Sequence, residues 1–200
     1  MYVISRGKAA ALAAILGTAG CGGVTHPVFD PSGRASAWTQ GVLGASPDMT
    51  LAVRLPEPGE PFPLRDVSGK LLDGATLGRR IDFFATFDGA GVHAWCAAAP
   101  EAPAQTFDSL ARDAKGGWTA PRDLGSGVRE SCTTQDQPQR CMFGFPGHGL
   151  VATDIGSADR ASRIFARSAD PPVPLTVPNG VFIAGWSDAA ASAALDATTG

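Results

Sequence analysis

The chain has 200 residues, 44% of them hydrophobic and 18% charged, with a formal net charge of −3. That apolar share is enough for one ordinary domain with a real core, and it excludes wholesale disorder. A mildly acidic body without clustered Lys and Arg excludes nucleic acid as a natural partner, because phosphate neutralisation demands a basic patch.

The opening stretch, MYVISRGKAAALAAILGTAGC, sets basic Arg6 and Lys8 before an apolar run from Ala9 to about Leu16, with small residues after it. This is the order of an export signal, and the run is too short to span a bilayer, which needs about 20 apolar residues. Thr18-Ala19-Gly20-Cys21 resembles the lipobox of bacterial lipoproteins. The resemblance implies that residues 1–20 are removed as a signal peptide and that Cys21 becomes a palmitate-bearing, diacylated N-terminus. It also implies a lipid anchor on the periplasmic or extracellular face of a bacterial cell envelope. Gly22 in place of Asp points to the outer membrane if the host has one. Cleavage after Ala19 by the general signal peptidase is the alternative, and it leaves a secreted protein with Cys21 as an ordinary thiol.

Residues 21–47 read as a tether carrying the lipidated cysteine, with turn-forming steps at His26-Pro27, Asp30-Pro31 and Ser46-Pro47. As flexible coil this segment holds the domain about 25–30 Å from the membrane. Trp38, Val42 and Leu43 break its polarity, so part of its second half has apolar groups with which to dock.

Residues 48–196 read as one β-rich domain, and 197–200 as a tail. Met49 to Leu55 alternates as a strand and stops at Pro56; Leu64 to Leu72 turns at Ser68-Gly69 as a hairpin. The clearest pair follows: Ile81, Phe83, Ala85 and Phe87 share a face, Asp88 to Gly91 turns, and Val92, Ala94, Cys96 and Ala98 share a face. Residues 100–115 have helical spacing, with Phe107, Leu110, Ala111 and Ala114 on one side, Thr106 as a cap and Gly116-Gly117 as the stop. Strands resume over Trp118–Leu124, Val128–Thr133, Arg140–Phe145 and Leu150–Ile155. Ser157 is placed to cap a short helix to Arg167, with Asp154 and Asp159 facing solvent. Leu175–Val177 and Val181–Trp186 form a last hairpin, before a weak Ala-rich helix from Ser187 to Leu195. This rhythm predicts a mainly β fold: an antiparallel β-sandwich or barrel with one or two peripheral helices.

Four cysteines stand at 21, 96, 132 and 141, and export permits disulfides. With Cys21 lipidated, Cys132 and Cys141, which flank a polar loop, are the natural pair and Cys96 the leftover; with Cys21 free, Cys21–Cys96 is also conceivable. No metal or cofactor site is expected. His26, His93 and His148 lack ligand spacing, and a zinc half-site of Cys132, Cys141 and His148 needs more assumptions than a disulfide does. Ser126 lies in a Gly-Ser-Gly turn without a nucleophile elbow, and Asp82, Asp88, Glu101, Asp113 and Asp154 form no recognisable catalytic pair.

Pro61-Phe62-Pro63-Leu64-Arg65-Asp66-Val67-Ser68-Gly69-Lys70 and Phe83-Phe84-Ala85-Thr86, followed by Trp95-Cys96, resemble exported thioredoxin-like proteins. This resemblance implies an alternative α/β fold and redox chemistry at Cys96, with Ala99 where the family has its resolving cysteine. The main expectation is a membrane-anchored, non-enzymatic binding or envelope-assembly module, its partner an envelope protein or a small ligand. A thioredoxin-like or single-cysteine redox protein, or an exported hydrolase, is the alternative.

Overall fold

In the computed structural model, residues 34–54, 77–88, 91–112, 117–134, 139–170, 174–175 and 183–187 are described, without the side chains of 34–36 and 183–187. They form α1 (Arg34–Leu43), β1 (Met49–Arg54), β2 (Arg80–Asp88), β3 (Gly91–Pro103), α2 (Ala104–Ala111), β4 (Arg122–Gly125) and β5 (Val128–Cys132). Then come β6 (Arg140–Gly144), β7 (His148–Asp154), α3 (Ile155–Phe165) and β8 (Ile183–Ser187). The strands make one sheet in the order β4-β5-β6-β7-β3-β2-β1-β8, and every neighbouring pair is antiparallel. The fold is therefore mainly β and antiparallel with peripheral helices, as the strand-and-turn rhythm predicts. The thioredoxin-like alternative is overturned. That fold needs a parallel crossover, whereas β2 and β3 pair as an antiparallel hairpin with Asp88 opposite Gly91.

Register sorts the side chains into rows. One row runs Cys132, Cys141, Thr153, Cys96, Phe84, Thr50, and the next Glu130, Phe143, Val151, Ala98, Asp82, Ala52. All of these are buried except Cys132, which is partly so. This face is covered by α1 and α3, which pack on each other and on the sheet. Phe165 of α3 is the hub: its ring lies 5.2 Å from Trp38 of α1, 4.9 Å from Phe143 and 5.2 Å from Phe145. Burying such rings removes a large apolar area from water, and edge-to-face contacts add specificity.

The opposite face is covered by α2 where it lies over β6 and β7. Phe107 rests on Gly144, a close approach that only glycine permits, since a Cβ there would sit 2.6 Å from Phe107 Cγ. Met142, Leu150, Ala99 and Ala102 complete this smaller cluster.

Several local expectations are corrected. The segment 34–43, assigned to the tether, is a helix whose Thr39, Val42 and Leu43 are buried in the domain. Arg160 of α3 donates to the Leu43 carbonyl at 2.7 Å, tying the two helices together at the end of α1, where a cation is favoured. Residues 100–103 continue β3 because Pro100 and Pro103 push the preceding residues toward extended backbone. Hence α2 starts at Ala104 with Pro103 at its N-cap, and Thr106, expected as the cap, is buried within the helix. The N-cap of α3 is Asp154, whose Oδ1 accepts from Ser157 N at 3.0 Å; expected in solvent, Asp154 is 7% exposed. Val92 leaves the face of Ala94 because Phe87 pairs Val92 while Thr86 pairs Ala94, a bulge that inserts His93 and reverses the alternation. Ser187, expected to open the Ala-rich helix, is the last residue of β8; the rest of that helix, the leader, Cys21, the 64–72 hairpin, most of the last hairpin and the tail lie outside the described residues.

Candidate functional site

Two places on the sheet combine unusual chemistry with access. The first is the corner where α3 crosses β5 and β6. The β5–β6 register sets Cys132 directly opposite Cys141, and their Sγ atoms are bonded at 2.09 Å. Strand alternation puts Glu130, two residues before Cys132, on the same face. Its carboxylate accepts from Ser162 Oγ of α3 and from the Arg122 guanidinium of β4. Glu130 is 7% exposed, and a carboxylate so deep is tolerated because those two partners satisfy it. A carboxylate oxygen and both sulfurs all lie within 4.8 Å of one another. The carboxylates singled out from sequence omit Glu130; the signal that could have found it is the Glu-x-Cys spacing on a strand.

The other residues raised by the sequence do not converge here. His148 opens β7 five residues before Thr153, the partner of Cys141, and so stands about 17 Å away along the strand. His93 is exposed, its Nδ1 3.4 Å from Asp88 Oδ2. Ser126 occupies the β4–β5 turn with φ 53, between Gly125 and Gly127. Cys96 sits in the row of the disulfide, but Thr153 separates it from Cys141, which places it two strand spacings, about 10 Å, away. It is fully buried, and burial, with the nearby Asp154 charge, pushes its thiol above the ordinary range. A thiol held protonated in mid-strand is a poor nucleophile, so Cys96 lacks the thiolate setting that the redox alternative requires.

The second place is the stretch of β1, β2 and β3 on the α2 side of the sheet. Register aligns Leu51, Phe83 and Ala97, with Val53 opposite Ile81 in a neighbouring row. These side chains and Trp95 are only partly buried. Phe83 and Trp95 stack at 6.1 Å and 19° across the diagonal. Among the residues of this patch none carries a charge, whereas its neighbour under α2 ends at the Asp108–Arg129 pair, with Arg129 also 4.9 Å over the Phe107 ring. A partly open apolar patch holding an aromatic pair is the kind of surface that associates with a partner.

Compared with known proteins, the chain matches no family model, no curated protein and no solved structure.

Proposed function

We propose that this protein is a lipid-anchored, exported binding module of the cell envelope, without catalytic activity of its own, and that the β1–β3 patch docks an amphipathic helix of an envelope protein. The observation that carries the reading is the uncharged row Leu51–Phe83–Ala97 with Trp95 stacked beside it, left only partly buried. Three strands span about 10–14 Å, close to the roughly 10 Å width of one helix. The adjoining strands already receive a helix in this way, through Phe107 of α2 against Gly144 and Met142. Cys21, placed by its lipobox-like context, supplies the membrane attachment.

Two measurements test this. Labelled palmitate enters the wild-type chain and not the C21S variant in cells that export both; failure of wild type to label removes the anchor. A photo-crosslinking residue at Val53, in the same cells, yields one discrete protein adduct that disappears in a second chain carrying Leu51→Lys, with near-UV circular dichroism unchanged. Adducts with lipid alone, with a second copy, or within the chain contradict the envelope-protein partner.

A further inference from the structure

The disulfide corner has a second chemical state. We infer that, once the Cys132–Cys141 bond is reduced, the two thiolates and the Glu130 carboxylate form a three-ligand site for zinc, which makes this corner a redox-gated metal site. The three donor groups already lie within 4.8 Å of one another, on adjacent strands whose register is fixed by the ladder. Tetrahedral zinc with ligands at about 2.0–2.3 Å needs donors roughly 3.3–3.8 Å apart, so side-chain rotation closes the remaining gap.

Charge supports the assignment. Two thiolates, one carboxylate and Zn2+ sum to −1, and the Arg122 guanidinium already on Glu130 brings the cluster to zero. Ser162 Oγ, donating to Glu130 from α3, orients the carboxylate as an outer hydrogen-bond partner does in zinc proteins. Access exists at the same corner, because Cys132 is partly exposed and the Arg122 side chain is 66% exposed. Thiolate-rich donor sets select zinc over magnesium or calcium, and a three-ligand site keeps its fourth position for water. Cys96 is too distant to be that fourth ligand, with Thr153 between it and Cys141.

The steps balance. A dithiol reductant gives two electrons and two protons to the Sγ–Sγ bond, becomes a cyclic disulfide, and leaves two thiols. Zinc then displaces both thiol protons to solvent as the two Sγ–Zn bonds form, with no further electron transfer.

The experiment uses the full chain, reduced without oxygen and freed of reductant, with Co2+ as the optical probe and Zn2+ as competitor. Expected are one Co2+ per chain, thiolate-to-metal charge-transfer bands, tetrahedral ligand-field bands, and displacement by Zn2+. The oxidised protein and the C132S/C141S variant, which retains Cys96 and Cys21, give none of these. Glu130→Gln keeps the charge-transfer bands and loses affinity by about 10-fold or more. Substoichiometric uptake by reduced wild type, equal uptake by C132S/C141S, or unchanged affinity in Glu130→Gln overturns the inference. So does a reduced protein whose near-UV circular dichroism collapses and does not return on adding metal.

Discussion

Asp82 offers the sharpest test of how the core is held. It lies on the helix-covered face of β2, its side chain 2% exposed, with Arg80 Nε 2.7 Å from Oδ1 and Leu175 N 2.9 Å from Oδ2. One carboxylate therefore neutralises a guanidinium that is itself only 17% exposed and pins a residue 93 positions away in sequence. In Asp82→Ala both partners lose their acceptor, and Arg80, largely but not fully buried, loses its ion-pair partner. Breaking such a pair costs about 3–5 kcal/mol. For a domain of this size that is a melting-temperature drop of roughly 6–20 °C. Asp82→Asn keeps an acceptor for Leu175 N and removes only the charge, so about 1–3 kcal/mol is expected. The pH dependence follows from burial, which raises the Asp82 carboxyl above its ordinary range despite the opposing pull of Leu175 N and Arg80. A carboxyl whose native pKa is raised gives the wild type stability that is fully present below its unfolded value, about 3.9, and lost as pH rises through the native value. The asparagine has no such term, so its cost must grow on acidification. Urea unfolding of wild type and both variants, across neutral to mildly acidic pH, measures this. A cost that shrinks as pH falls would show that ion pairing outweighs burial at Asp82 and refute the reasoning.

Three further predictions use the same unfolding measurement. Gly144→Ala forces a Cβ to 2.6 Å from Phe107 Cγ and is expected to cost about 1–3 kcal/mol by overpacking, with α2 the element displaced. Removing the disulfide with C132S/C141S releases a loop of sequence separation 9 and should cost about 2.5–3 kcal/mol on the chain-entropy account; no loss would mean that the β5–β6 ladder already holds the unfolded chain there. The hydrogen bond from Arg129 lowers the Asp108 pKa, so its contribution is present above the unfolded value, about 3.9, and is lost as pH falls through the native one. Both partners are about a third exposed, so Asp108→Asn should cost only about 0.5–1 kcal/mol near neutrality, and the difference should vanish in acid.

Sequence by itself determined the strand periodicity, the β2–β3 turn and the cysteine pair, because each depends on neighbours along the chain or on a short loop. Alternation with period two marks a strand whatever it packs against, and the eight residues between Cys132 and Cys141 suit a hairpin-like connection. What alternation leaves open is which face is covered. On β2 the helices bury Asp82, Phe84 and Thr86, while of the apolar set Ile81, Phe83, Ala85 and Phe87 only Ala85 is buried and the other three stay partly open. Tertiary structure decided that, since α1 and α3 settle on the side where Trp38, Phe165 and Phe143 interlock. It also turned residues 34–43 from tether into a helix that sets Thr39, Val42 and Leu43 in the core, and placed Glu130 beside the disulfide, through contacts as remote in sequence as Arg160 with Leu43. Registers across several strands and helix-on-sheet packing are long-range quantities, and no local window of residues contains them.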